Sequence, residues 1–270
     1  MSATTAISVD EIIDELAEVG IRQTELDAAE GAAGNLSIFV RALEGVESRF
    51  PLQAEVDLPV RSPALADGWV AVTGTGRRLR DVGRWPEKTL CFLRIHPGGE
   101  RATQFTAVQL RPTSEFNSHL AIHDDRVSQR NLDYHAVLHS QPIHLTFLSH
   151  LPRYANEVEF NQRLMRWEPE TLAHMPEGIG LIPYTMQGSS EQMEATLRVM
   201  RDHRIVIWAK HGVVSRSEVS LRSANDLVEY AETAARYEYM NLQLGEPSQG
   251  IPPEDLVALC RRYGIQQRVY

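Results

Sequence analysis

Tyr134-His135-Ala136-Val137-Leu138-His139-Ser140-Gln141-Pro142-Ile143-His144 is the stretch whose reading decides the fold. Ala136-Val137-Leu138 is an apolar run of strand length, and the residues just beyond it are of ligand type. Such a run fixes the backbone inside a sheet, so the side chains past its C-terminal end project into a cleft with little freedom. An α/β protein places chemistry there. His139 and Gln141 lie two apart, which in an extended chain puts both on one face. Pro142 ends the strand, and 143–150 reads as the first turns of a packed helix. A lone histidine at a strand end is more readily explained by a hydrogen-bonded core or cleft role than by a metal, so other residues must decide.

The 270 residues, 43% hydrophobic and 23% charged, suffice for a substantial core, and we read 1–270 as one α/β domain. A formal net charge of −9 argues against nucleic acid or an anionic membrane as principal partner, because phosphate backbones attract the opposite balance. Cys91 and Cys260 are the only cysteines. They make neither a disulfide framework nor a thiolate site, so any metal must be held by histidine, carboxylate or amide oxygen. Residues 1–8 lack a basic and an apolar leader region, and no run approaches the roughly 18 apolar residues of a membrane span. The expectation is a cytoplasmic protein.

Ser8 and Glu11 form a capping box for a helix with Ile12, Ile13, Leu16 and Val19 as its apolar stripe, ended by Gly20. The turn-rich 28–35 precedes a strand over 36–40; its glycines permit positive φ and expose backbone N–H groups to an anion, although a plain turn explains them too. Three prolines make 44–67 a surface excursion before a strand over 68–72. Thr73-Gly74-Thr75-Gly76, followed by Arg77, Arg78 and Arg80, is either a phosphate neighbourhood or a hairpin turn with solvated arginines. Strands over 90–95 and 105–110 form a meander through Pro97-Gly98-Gly99.

Arg111-Pro112-Thr113-Ser114-Glu115-Phe116 opens a helix that carries His119 and His123 one and two turns beyond Glu115. Thr113 or Ser114 is its expected N-cap, with free N–H groups there for a phosphate, and Glu115 alone is explained by the helix dipole. Helices follow near 157–167 and over 189–203, the latter capped by Ser189 with Gln192 in the capping-box position. A short strand is expected within 176–183. Arg204-Ile205-Val206-Ile207-Trp208-Ala209 is a β-branched central strand that ends in Lys210-His211-Gly212, a second strand-end histidine. Helices over 221–242 and 253–262 close the chain.

The Gly-Asn-Leu-Ser turn at 34–37, the Thr-Gly-Thr-Gly turn at 73–76, Pro-Thr-Ser-Glu at 112–115 and the histidines 139 and 211 occur in one order. Together they resemble the class II zinc-dependent sugar-phosphate aldolases of the fuculose, rhamnulose and ribulose phosphate group, and most of all the rhamnulose branch. Trp167, Glu170, Pro176-Glu177-Gly178, Trp208 and His211-Gly212 keep that branch's order and spacing. The resemblance covers nearly the whole chain. It implies a three-layer α-β-α fold with a central, mostly antiparallel sheet flanked by helices, and a homotetramer.

For the site, the resemblance implies that Glu115, His139 and His211 surround one Zn2+ ion per subunit, with Glu115 also the base at C3 of the dihydroxyacetone phosphate unit. Gly34, Asn35, Thr75, Thr113 and Ser114 would hold the phosphate, and Glu170 would assist from a neighbouring subunit. The expected activity is cleavage of L-rhamnulose 1-phosphate or a related ketose 1-phosphate. A divalent cation polarises the carbonyl and favours the enediolate, and a carboxylate shuttles the proton.

Two residues depart from the pattern. Gln141 stands where family members show the second histidine of His-x-His, and an amide oxygen is the weaker zinc donor. Gln141 coordinates through oxygen, His135 or His144 substitutes, a harder divalent metal replaces zinc, or binding is lost; His135 lies about 13 Å up the strand. Ala32 replaces an asparagine that helps hold phosphate, a loss Arg77 or Arg78 would offset. The alternatives to the aldolase are an adducin-like binding or assembly module and a sugar-phosphate epimerase or dehydratase on the same scaffold.

Overall fold

The computed structural model describes residues 6–270; residues 1–5, part of the segment read for a leader, lie outside the described residues. Its strands are β1 (Ile7–Ser8), β2 (Asn35–Val40), β3 (Leu43–Glu44), β4 (Leu52–Asp57), β5 (Trp69–Thr73), β6 (Leu90–Ile95), β7 (Arg101–Thr106), β8 (Tyr134–Ser140), β9 (Gly180–Ile182), β10 (Ile205–Trp208) and β11 (Gly212–Ser217). β1 and β3 form a small parallel pair, and the other nine make one sheet in the order β4-β7-β6-β5-β2-β8-β11-β10-β9. Every neighbouring pair in that sheet is antiparallel except β9 and β10.

Both faces of this sheet are covered, and strand alternation sorts the side chains between them. Leu36, Ile38, Ala136, Leu138, Ile205 and Ile207 join one core with Ile12 and Leu16 of the Val9–Glu25 helix, Leu145 of Ile143–Leu148, Phe160 of Glu157–Met165 and Val228 of Leu221–Gln243. On the other face Phe39 and Val72 pack with Leu120 of the Phe116–Arg130 helix. There too Val137, Val206, Trp208 and Val214 pack with Ile122 and with Met200 of the Ser190–Met200 helix. The result is the three-layer α-β-α arrangement expected from the resemblance. Among the described residues no helix is long and apolar enough to cross a membrane.

Several local expectations hold. Ser8 and Glu11 form the full capping box of the first helix. Ser189 accepts from Gln192 N, but Gln192 returns its side-chain oxygen to Gly188 N, not to Ser189 N.

Others need correction. The first helix runs on through Gly20 to Glu25, because a Cβ at Gly20 would lie 2.5 Å from the Leu79 carbonyl: that glycine allows close packing and does not stop the helix. The 44–67 excursion contains β4, an exposed edge strand whose prolines flank it. The strand placed at 105–110 begins at Arg101, since the Gly98-Gly99 turn brings Ala102 straight back against Ile95. β11 was not foreseen at all.

Candidate active site

Register sets the site. β8 lies between β2 and β11, so His139 faces Asn35 on one side and Val214 on the other. His211 sits in the tight turn from β10 to β11, where Lys210 has φ 65° and the His211 N–H donates to the Trp208 carbonyl at 2.9 Å. Gly212 completes the turn: a Cβ there would lie 2.3 Å from the Ser140 carbonyl. Both imidazoles pack on the Trp208 ring, with centroid distances of 4.6 Å for His139 and 5.3 Å for His211.

The third group comes from the helix end. The helix starts at Phe116, and its N-cap is Glu115, with φ −100° and ψ 18° and no side-chain capping bond. The N-cap therefore falls one residue beyond Ser114 and two beyond Thr113, the positions expected, and the carboxylate is turned away from the helix towards the histidines. Glu115 Oε2 lies 3.5 Å from His139 Nε2 and Oε1 3.6 Å from His211 Nε2. The three donor atoms fall within 4.8 Å of one another. Their residues are 4%, 1% and 8% exposed for Glu115, His139 and His211.

Burial by itself would raise the Glu115 carboxyl, but His139, the Asn35 amide and His211 outweigh it and hold the group below its ordinary value. Burial and the neighbouring His139 push His211 down to about 4, so its imidazole is neutral near pH 7. The neutral form is the one that ligates metals. His139 Nδ1 meets the Val213 carbonyl at 2.8 Å; donating there leaves the Nε2 lone pair facing Glu115. Gln192 Nε2 lies 3.4 Å from His211 Nδ1, too far to fix that ring's tautomer as firmly.

Glu115 Oε2 accepts from Asn35 Nδ2 at 2.8 Å, whereas Oε1 is buried with no hydrogen-bond partner. A buried carboxylate oxygen left bare is costly, and a cation beside it removes the cost. Two imidazoles and a carboxylate are also a donor set suited to a divalent ion. The residues present fit such a group.

The surrounding cavity has a volume of about 120 Å³. Gly34, Asn35, Thr75, Thr113 and Ser114 all line it, as do Ala32, Arg77 and Gln141. The five phosphate candidates thus share one space with the Glu-His-His cluster, but two details differ from expectation. Thr75 N–H donates to the Arg111 carbonyl at 2.9 Å and Thr113 N–H to the Thr73 carbonyl at 3.0 Å, so these residues offer hydroxyls in place of amides. The Asn35 side chain is engaged by Glu115 and His119.

Neither alternative histidine reaches the site. His135 is bonded to His123, and His144 pairs with Glu232 at 2.6 Å. Of the three arginines after Gly76 only Arg77 lines the cavity, and Glu170 is exposed on the Pro169–His174 helix, outside it. Trp167 has a structural place: its Nε1 donates to the buried Glu238, which also takes Arg163, Arg166 and Tyr154.

The chain is similar to known proteins. The family described as the Class II Aldolase and Adducin N-terminal domain matches residues 14–239. The chain belongs to that family, and it is a class II aldolase. The rhamnulose-1-phosphate aldolase of Bacteroides thetaiotaomicron is 32% identical over 203 residues, 74% of this chain and 75% of that protein. That of Pectobacterium carotovorum is 30% identical over 237 residues, 86% of each. A crystal structure of a sugar-phosphate aldolase from Thermotoga maritima superposes with a TM-score of 0.73 at 27% identity, over 89% of this chain and 99% of that one.

Proposed function

We propose that the protein cleaves L-rhamnulose 1-phosphate, or a closely related ketose 1-phosphate, to dihydroxyacetone phosphate and an aldehyde such as L-lactaldehyde. The observation that carries this reading is one small cavity holding Glu115, His139 and His211 together with the hydroxyls of Thr75, Thr113 and Ser114. Similarity to rhamnulose-1-phosphate aldolases at about 30% identity supports it.

A divalent cation, zinc by its donor set, held by Glu115, His139 and His211 would supply Lewis-acid polarisation of the ketose carbonyl. Gln141 lines the same cavity and would add an amide oxygen, with a harder ion the variant that a glutamine donor favours. Thr75, Thr113, Ser114 and the Arg77 guanidinium grip the phosphate, with Gly34 giving its backbone room. Glu115 moves the proton at C3, taking it in the condensation direction and returning it in cleavage. Its Oε1, lacking a protein partner, is free to serve the cation or the reacting carbon.

The rest of the proposal concerns assembly. Glu170 lies outside its own chain's cavity, so it acts only if a neighbouring subunit carries it there, as in a homotetramer. Both cysteines are free and buried, which suits the reducing cytoplasm.

Incubating metal-loaded protein with a panel of ketose 1-phosphates and identifying products by NMR tests the reading. Dihydroxyacetone phosphate with a matching aldehyde supports it; an isomerised or dehydrated sugar phosphate, or no turnover, would replace it with an epimerase, a dehydratase or a binding module.

A further inference from the structure

Five polar side chains are buried in the layer between the sheet and the Phe116–Arg130 helix, which Phe39, Val137 and Ile122 otherwise fill. They join in one line that starts at the active site. Asn35 Nδ2 reaches Glu115 Oε2 at 2.8 Å, and Asn35 Oδ1 meets His119 Nε2 at 2.5 Å. His119 Nδ1 meets Ser37 Oγ at 2.6 Å, Ser37 Oγ meets His123 Nε2 at 2.8 Å, and His123 Nδ1 meets His135 Nδ1 at 2.7 Å. His135 Nε2, at the far end, is buried without a partner.

Only one assignment of protons satisfies this line. The Glu115 carboxylate needs a donor, so Asn35 turns its NH2 to it and its carbonyl to His119, which must then donate from Nε2. His119 is fully buried and its direct partners, Asn35 and Ser37, are neutral, so it carries a single proton and Nδ1 accepts from Ser37. Ser37 has one hydrogen to give and accepts in turn from His123 Nε2–H. His123 Nδ1 accepts from His135 Nδ1–H, which leaves a lone pair on His135 Nε2, the nitrogen that has no partner. The reverse polarity would set the Asn35 carbonyl against the carboxylate and strand a buried N–H at His135, both worse.

We propose that Asn35 is a positioning residue for Glu115, and that Ser37, His119, His123 and His135 form a one-way hydrogen-bond chain that fixes the orientation of its amide. The inference rests on Glu115 being the group that moves the proton. The chain is not a proton wire, because the Asn35 amide interrupts it. Its effect is orientational: every donor points towards Glu115, the bonds polarise one another, and Oε2 stays occupied so that Oε1 is the oxygen presented to the cavity. A buried apolar layer would have served packing alone at lower cost.

The first test is independent of substrate. In native protein carrying 15N-labelled histidine, long-range 1H–15N correlations show which ring nitrogen holds each proton. We expect Nε2–H at His119 and His123 and Nδ1–H at His135; a proton on His119 Nδ1, or a doubly protonated His119 at pH 7.5, overturns the chain.

The second test is kinetic. His119→Phe, close in volume but without a donor, should lower kcat about 10- to 100-fold with KM within about twofold, and His119→Gln, which keeps an N–H for Asn35, should recover most of it. A packing role predicts the opposite order, with Phe retaining kcat and Gln losing it. Should His119→Phe fail to fold, Asn35→Asp replaces it: opposing carboxylates should depress kcat and move the acidic limb of the pH profile upward. Raised KM with unchanged kcat in that variant would make Asn35 a phosphate ligand and overturn the proposal. Wild-type protein without turnover sinks the aldolase reading and leaves the tautomers to decide the chain.

Discussion

His139 and His211 stand with ring centroids 4.8 Å apart at 62° and address different oxygens of one carboxylate, Oε2 and Oε1 of Glu115. One residue comes from a strand end and the other from a hairpin turn two strands away in the sheet. Their meeting depends on β11 lying between β8 and β10, and on Gly212 letting the turn pass against Ser140.

The metal site follows from that pair. His139→Ala or His211→Ala should each remove a donor and drop the stoichiometry of tightly held metal from about one per chain towards zero, with kcat falling roughly 100-fold or more. Gln141→His should instead raise zinc affinity. Metal content unchanged in both alanine variants would place the ion elsewhere.

Gly212→Ala tests the turn. A methyl group 2.3 Å from the Ser140 carbonyl cannot be accommodated without moving β8 or the turn, so the variant should lose about 2 kcal/mol of stability and bind metal more weakly. Urea unfolding and elemental analysis read the two effects. Wild-type values in both would show that the close approach is not needed.

For the phosphate wall, Thr113→Val and Ser114→Ala remove hydroxyls that would meet a charged oxygen, interactions worth about 1.5–3 kcal/mol. KM for the phosphorylated ketose should rise roughly tenfold or more while kcat changes little. A fall confined to kcat would move these hydroxyls to the reacting end of the substrate.

Acid should weaken the fold through the histidine chain. Burial lowers His119 to about 3, and burial likewise holds His123 and His135 well below their ordinary value. The unfolded chain, titrating near 6.5, then binds more protons than the folded one as pH drops. The stability is complete above about pH 7 and is lost as pH falls through 6.5 towards 3, by about 1.4 kcal/mol per pH unit for each such histidine. Urea midpoints at pH 7.5, 6 and 5 should fall steadily; a flat series would mean these rings are charged in the folded state.

The sequence made β8 legible because its apolar run, strand-end ligands and Pro142 agree, and the collinear motifs carried the family and with it Glu115, His139 and His211. β11 was illegible for a physical reason: Ser215 and Arg216 look solvent-facing, yet Ser215 is satisfied by the Ala224 carbonyl and Arg216 by Met200 O, partners supplied only by the fold. The same holds for His119 and His123. Read along the helix they are two polar positions; their partners Ser37 and His135 come from β2 and β8. β4 escaped notice because an edge strand needs only one neighbour and tolerates charge.

The most direct measurement is the release of dihydroxyacetone phosphate from L-rhamnulose 1-phosphate by untagged protein, before chelation, after it, and after zinc is restored. We predict release that vanishes with the metal and returns with it, and that Glu115→Gln reduces about 10²- to 10⁴-fold. Folded, zinc-loaded protein that releases none from this or any ketose 1-phosphate would contradict the account.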